Sequence, residues 1–279
     1  MIPEDEETSP FSYASIIGAA FGALMIILAI LIGTRNYLAF ISLEGLLIVV
    51  GGSLAVAFMS FQANHVVAAL KSIGFMFMKA TATHETLHHD MVEIIAWAKI
   101  VKAKGMRGLE DETFNNPKND SFVRYGLDMV VSNYSPEEVR TMMETAADAT
   151  YERDTIPARV LQAMASHAPA FGMVGTLVGM VIMLGNFSGD MSGVGKGLSV
   201  ALLATLYGVV TARLVYIPAA SKIIQKQEGL RFRNQLITEG MVLLVANKTP
   251  RYIQDWLNSF LRPESHYDID SKIQNIIKK

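Results

Sequence analysis

The chain contains no cysteine in 279 residues, which removes disulfides and thiolate metal centres from consideration. It also lacks a basic excess. Lys plus Arg number 24 against 26 Asp plus Glu, so charge gives no reason to expect a nucleic-acid partner. No segment alternates convincingly between apolar and polar residues, and no internal repeat is present, which leaves helices as the expected structure. The last shortage concerns placement. None of the 26 acids falls in the middle of the chain's long apolar stretches. A proton carrier needs an ionisable group within the membrane, so this chain alone is not equipped to relay protons.

What is present is hydrophobicity in concentrated form. Hydrophobic residues make up 51% of the chain. They gather into four stretches, Tyr13 to Gly33, Leu43 to Phe61, Ala168 to Phe187 and Leu198 to Ala219, each about 20 residues and so long enough to span a bilayer. Glu44 sits at the leading edge of the second, and Arg213 is the one charge in the fourth. Arg213 lies close enough to the end of its span to snorkel. The first stretch is preceded by Glu4-Asp5-Glu6-Glu7, an acidic lead that does not fit a signal peptide.

Basic residues orient the spans. Eleven Lys or Arg lie between spans two and three, ten follow span four, and the two short connections hold only Arg35 and Lys196. The excess assigns the long loop and both termini to the cytoplasm. The expected organisation is an acidic amino-terminal tail over 1–12, spans one and two over 13–61, a helical cytoplasmic loop over 62–167, spans three and four over 168–219, and a helical tail over 220–279.

Within the loop, Gln62 to Lys79 reads as a continuation of the second span. Thr86 to Lys104 reads as a helix with Leu87, Met91, Ile94, Ile95 and Ala98 on one face, punctuated by Gly105. Asn115-Asn116-Pro117 marks a turn. Ser135-Pro136-Glu137-Glu138 opens another helix with a capping residue, a first-turn proline and acids at the positive end of the dipole.

Spans three and four carry small residues at helical spacing: Ala168, Gly172, Gly175 and Gly179 in one, Ala201, Ala204, Gly208 and Ala212 in the other. Such faces let helices approach closely in lipid. Thr176 and Thr205 lie along the same rows, so the seam is either plain helix packing or a polar path beside a partner helix. Pro169 at the start of span three and Pro218 at the end of span four read either as helix punctuation or as a collar between membrane and cytoplasmic parts.

Two runs now identify a family. Ala168-Pro169-Ala170-Phe171-Gly172-Met173-Val174-Gly175-Thr176-Leu177-Val178-Gly179, together with Val200-Ala201-Leu202-Leu203-Ala204-Thr205-Leu206-Tyr207-Gly208 and the later Pro218, resembles the third and fourth spans of MotA/PomA stator subunits of the bacterial flagellar motor. TolQ and ExbB belong to the wider superfamily but usually have three spans. The resemblance implies an all-α inner-membrane protein in a ring of five, around two copies of a single-span MotB/PomB-like partner whose membrane aspartate carries the ion. It implies no enzyme activity and no cofactor. Thr176 and Thr205 match positions lining the ion path, and Pro169 and Pro218 match prolines that couple ion passage to movement. Lys102 and Glu110 match a basic and an acidic residue that pair with a flagellar rotor switch protein, with lysine supplying charge without guanidinium geometry. The Thr176 hydroxyl favours sodium over protons as the transported cation, since hard cations prefer oxygen ligands. Ser166, followed by His167, stands where many members have an acid three residues before the span-three proline, and the acidic tail is unusual.

Two competing functions follow from the same residues. One is a TolQ/ExbB-like energiser of outer-membrane transport. The other rests on His84-Glu85-Thr86-Leu87-His88, an H-E-x-x-H pattern that on a helix could bind zinc with Glu85 as general base. No third zinc ligand stands out for it.

Overall fold

The computed structural model describes residues 13–77, 84–115, 120–187 and 191–269, and all regular structure among them is helical. Asn116 and Pro117 of the expected turn and the acidic tail over 1–12 lie outside the described residues. The α-helices are α1 (Tyr13–Gly33), α2 (Leu43–Leu46), α3 (Gly52–Ser60), α4 (Ala63–Gly74), α5 (His84–Asn115) and α6 (Ser121–Val131), followed by α7 (Pro136–Asp154), α8 (Ile156–Gly185), α9 (Met191–Thr211), α10 (Ile217–Val245) and α11 (Pro250–Asn258). A π-helical turn over Leu47–Gly51 joins α2 to α3, and another over Ala212–Tyr216 joins α9 to α10. Four helical stretches among the described residues are long and apolar enough to cross a membrane: Ser15–Gly33, Leu43–Ser60, Pro136–Gly185 and Met191–Val245. The protein is an all-α integral membrane protein.

The second helix does not run on through Gln62 as expected, because Phe61 is extended (φ −133°, ψ 159°) and α4 starts afresh at Ala63. The helix that holds the third span begins well before Pro169, which sits inside the 30-residue α8. The helix that holds the fourth continues past Pro218, which sits near the start of α10 just after the π-turn. Neither proline therefore acts as a helix terminus.

Contacts divide the chain into two compact units, residues 1–79 with 154–225, and 80–153 with 226–279. The first unit packs α8 against α9, α3, α4 and the Leu47–Gly51 turn. Its core is built largely from small side chains, including Ala57, Ala69, Ala158, Ala165, Ala168, Ala204, Ala212, Ala219 and Ala220. Small residues suit a setting where helix association is driven by close packing rather than by exclusion of water. No described side chain of α1 is buried within the chain.

The second unit has a conventional core. Leu87, Met91, Ile94, Ile95 and Ala98, the expected inner face of α5, are all buried there. Met143, Leu236, Ile237, Met241, Ile253 and Leu257 complete it, so residues from both the loop and the carboxyl-terminal segment build one interior. Gly105 breaks α5 with a left-handed φ of 72°, a conformation that glycine adopts without a Cβ penalty. Ser135 opens α7 as expected. Its hydroxyl accepts from the Glu138 N–H at 3.3 Å, and the Glu138 carboxylate accepts from the Ser135 N–H at 2.8 Å, a reciprocal capping box. These bonds hold the Glu138 carboxyl below the usual carboxylate range.

Ion pairs tie the second unit together. Arg233 of α10 donates to both oxygens of Asp90 on α5, at 2.5 and 2.8 Å, and to Asp120 at 2.5 Å. Asp120 is the N-cap of α6, accepting from the N–H groups of Phe122 and Val123. Burial acts to raise the Asp120 carboxyl, but Arg233 and the two N–H groups outweigh it and hold it below its ordinary value. The hydrogen bonds that Arg233 donates to Asp90 and then Asp120 raise it above its ordinary value. Arg140 of α7 makes a two-point contact with Glu239 of α10.

Candidate ion-path site

The site is the seam between α8 and α9. Glycines set its width. A Cβ on Gly179 would lie 2.5 Å from the Ala201 nitrogen and 2.6 Å from the Gly197 carbonyl oxygen. One on Gly175 would lie 2.3 Å from the Ala204 Cβ, and one on Gly172 would lie 3.0 Å from the Ala204 carbonyl oxygen. At the other end, a Cβ on Gly208 would lie 2.6 Å from the Ala168 carbonyl oxygen and 3.1 Å from the Pro169 Cα. The four glycines singled out in the sequence therefore all face a neighbouring backbone or Cβ, and each is buried.

The close approach brings the two threonines together. Thr176 Oγ1 and Thr205 Oγ1 are 2.7 Å apart. Thr176 Oγ1 also reaches the carbonyls of Gly172 at 3.1 Å and Ala201 at 3.2 Å, and Thr205 Oγ1 reaches Gly172 at 3.4 Å. Thr176 is half-buried and Thr205 is exposed on the surface of the chain. The result is a knot of four oxygens at mid-seam that opens outward. Hydroxyl and carbonyl oxygens are suitable ligands for a partly dehydrated hard cation. They carry no net charge, so neutralising the cation there requires a carboxylate from outside these spans.

Pro169 lies at the same seam, where its Cα approaches Gly208. Having no N–H, it cannot donate to the Ala165 carbonyl one turn earlier, and Pro218 likewise leaves the Leu214 carbonyl, which lies within the π-turn, without that donor. Both prolines thus mark places where the backbone ladder of a spanning helix is interrupted.

Sequence reasoning missed the polar end of this unit. The Tyr207 hydroxyl donates to the Phe40 carbonyl at 2.6 Å and accepts from the Ser42 N–H at 2.9 Å. Ser42 caps α2 by accepting from the Gly45 N–H at 3.1 Å. Lys196 pairs with Glu44 at 2.9 Å. Gly197 and Gly45 also belong to the close-packed set: a Cβ on Gly197 would meet the Met183 nitrogen at 2.5 Å, and one on Gly45 would meet the Ala204 nitrogen at 3.3 Å. An isolated tyrosine in an apolar run carries no periodic signal that would have revealed the latch.

The remaining predicted residues lie in the other unit. Lys102 and Glu110 are both exposed, on either side of the Gly105 break in α5. The H-E-x-x-H residues sit at the start of α5. His84 has a side chain outside the described set, Glu85 is exposed, and the His88 ring packs edge-on to Tyr267 with centroids 5.7 Å apart. Among the described residues no cluster of three or more His, Asp or Glu is placed to hold a metal.

Fold and site together define a four-span membrane subunit whose third and fourth spans meet at a small-residue seam carrying paired hydroxyls. Residues 115–235 match the MotA/TolQ/ExbB proton channel family. The chemotaxis protein PomA of Vibrio alginolyticus is 32% identical over 248 residues, covering 89% of this chain and 94% of that protein. Motility protein A of Borreliella burgdorferi is 33% identical, covering 93% and 98%. A structure of C. jejuni MotAB superposes with a TM-score of 0.79 at 24% identity, covering 90% of this chain and 96% of that one. The chain belongs to the MotA/TolQ/ExbB proton channel family, as a stator subunit of the MotA/PomA type. Its relatives are stator channel subunits rather than enzymes, which removes the zinc-protease alternative.

Proposed function

We propose that this chain is the ring-forming subunit of an ion-driven rotary motor that turns a bacterial flagellum. In this reading several copies, five by family resemblance, surround a MotB/PomB-like single-span partner in the inner membrane, with both termini and the large loop on the cytoplasmic side. The observation that carries it is the oxygen knot at Thr176 and Thr205, open to the outside of the chain and lacking a carboxylate of its own. A partner aspartate set against it supplies the missing negative charge. Sodium fits the all-oxygen ligand set better than a bare proton, which needs only an ionisable acceptor. Pro169 and Pro218 give the spans yielding points that turn ion passage into movement. Lys102 and Glu110, exposed beside the Gly105 break, are the charges offered to the rotor switch protein. The four-span plan favours this task over a TolQ/ExbB-like energiser of outer-membrane transport.

The test is complementation. The chain and its single-span partner are expressed in a stator-deficient flagellated host, and swimming is measured in sodium and in potassium media at equal ionic strength. Swimming that requires sodium is the expected result. Full swimming in potassium alone overturns the sodium assignment, and no rotation in either medium despite assembly overturns the motor assignment.

A further inference from the structure

One face of α9 is tied to the connection between the first two spans. The Tyr207 hydroxyl donates to the Phe40 carbonyl at 2.6 Å and accepts from the Ser42 N–H at 2.9 Å. Ser42 carries the chain of contacts onward: its hydroxyl donates to Glu44 at 3.3 Å, and Glu44 pairs with Lys196 at 2.9 Å. Ser199 adds a bond to the Ala39 carbonyl at 3.4 Å. Lys196 and Tyr207 are eleven residues apart on α9. That is three turns, so they share a face and lie about 16 Å apart along the axis. Both side chains converge on the start of α2, where a Cβ on Gly45 would lie 3.3 Å from the Ala204 nitrogen.

Thr205 lies two residues before Tyr207, about 160° around the helix, and its hydroxyl meets Thr176 on the other side of α9. The seam itself does little to fix that angle. Its α9 side is Gly197, Ala201, Ala204 and Gly208, residues with no long side chain to interlock with α8. Yet the oxygen contact tolerates little error. A roll of about 20° carries an atom about 5 Å from the helix axis through roughly 2 Å. That is enough to part hydroxyls that meet at 2.7 Å. The Tyr207 hydroxyl ends a long, stiff side chain, so bonds made there resist rolling with a longer arm than contacts between Cβ atoms. The second tie, three turns away at Lys196, opposes tilting and sliding of the same helix.

We propose that Tyr207 is a positioning residue for the ion path: its tie to Phe40 and Ser42, continued through Glu44 to Lys196, sets the rotation of α9 and so holds the Thr205 hydroxyl against Thr176. Tyr207 acts through Thr205 and touches no transported ion. Without its hydroxyl the ring still fills its place, but α9 is free to roll. A knot assembled only part of the time binds its cation with an apparent affinity reduced by that fraction. The effect on transport rests on the ion-path reading of Thr205 given above, whereas the effect on the angle of α9 does not.

Sodium uptake is measured with the intact stator complex in proteoliposomes. Tyr207→Phe should raise the sodium KM about three- to tenfold, with a much smaller change in maximal rate and the same amount of assembled complex. In a Thr205→Val background the same substitution should add nothing further, because no hydroxyl is left to position. The absence of native cysteine from the chain gives a direct geometric readout. Thr176→Cys with Thr205→Cys, oxidised by copper phenanthroline, should form an intrasubunit disulfide seen by mass spectrometry. Adding Tyr207→Phe should slow its formation about threefold or more. An equal rise in KM in both backgrounds, or a disulfide that forms at the same rate with and without the Tyr207 hydroxyl, overturns the inference and leaves the motor reading standing. A loss of flux matched by a loss of assembled complex makes Tyr207 a structural tie only and overturns it too. Wild-type sodium uptake by Thr205→Val overturns the ion-path reading and this inference together, even where the disulfide slows.

Discussion

The hydroxyls of Thr176 and Thr205 meet at 2.7 Å across the α8–α9 seam, and they can do so only because glycine and alanine bring the two backbones together. The contact permits a clean separation of chemistry from packing. Thr176→Val and Thr205→Val keep the branched shape and remove the oxygen. Each should lower ion occupancy by roughly fivefold, corresponding to the loss of about 1 kcal/mol of oxygen contact, while leaving assembly intact. Thr176→Ser should retain most of the flux. Sodium uptake by proteoliposomes holding the complex reads this directly, and equal flux in the valine and wild-type proteins would remove both residues from the path.

Width of the seam gives a second expectation. In Gly179→Ala the new methyl would meet backbone atoms at 2.5 and 2.6 Å, and in Gly208→Ala a carbonyl oxygen at 2.6 Å. Backbone cannot move aside as a flexible side chain can. Overpacking of this kind costs about 1–3 kcal/mol, so both variants should melt earlier in detergent. Gly185→Ala, with nothing within 4 Å of the added Cβ, should melt with the wild type. Identical melting for all three would mean that the seam opens more freely than its contacts indicate.

Arg233 holds Asp90 and Asp120 at once, and its removal leaves the buried Asp90 carboxylate without its partner. Arg233→Leu should destabilise the second unit by about 3–5 kcal/mol, the usual cost of breaking a buried pair from one side. Arg233→Lys should lie between, since an ammonium cannot match the forked contact. The Asp120 carboxyl also predicts a pH dependence. Its value is lower in the folded protein than the ordinary 3.8, so the fold favours the ionised form. That contribution is complete above the ordinary value and is lost as pH falls through the lowered one. Asp120→Asn keeps an N-capping oxygen without the charge. Thermal melts from pH 6 down to pH 2 should therefore converge for the two proteins at the acid end. Parallel curves at every pH would show that the charge of Asp120 does not matter.

Local signals in the sequence are legible where they act over a single turn or helical period. Gly105, Ser135 with Glu138, and the inner face of α5 each announce themselves within a single turn or one helical period. Small-residue spacing likewise showed which sides of α8 and α9 would meet. What stayed hidden depended on partners far away in the chain. Nothing marks Arg233 as different from Arg231 until Asp90 and Asp120 arrive from residues more than a hundred positions earlier. Tyr207 reads as one more membrane aromatic until Phe40 and Ser42 are placed against it. Helix ends and span ends differ for another reason. Hydropathy reports where lipid-compatible sequence stops, but α8 extends beyond Pro169 in one direction and the α9–α10 stretch beyond Pro218 in the other. The hydrogen-bond ladder continues there in polar sequence.

Pro169 allows function and stability to be set against each other. A proline inside a helix costs about 3 kcal/mol relative to alanine, through its missing N–H and the ring's clash with the preceding turn. Pro169→Ala would restore a donor to the Ala165 carbonyl and complete the ladder of α8. If the proline were mere packing filler, the variant should melt at a higher temperature and rotate the flagellum as before. A coupling role predicts opposite signs: melting unchanged or raised, normal assembly with the single-span partner, and reduced work output. Swimming speed under viscous load, compared with the amount of assembled complex, measures both sides. Undiminished swimming would count against the coupling role. A fall in speed matched by a fall in assembled complex would reduce Pro169 to a structural residue of the α8–α9 seam.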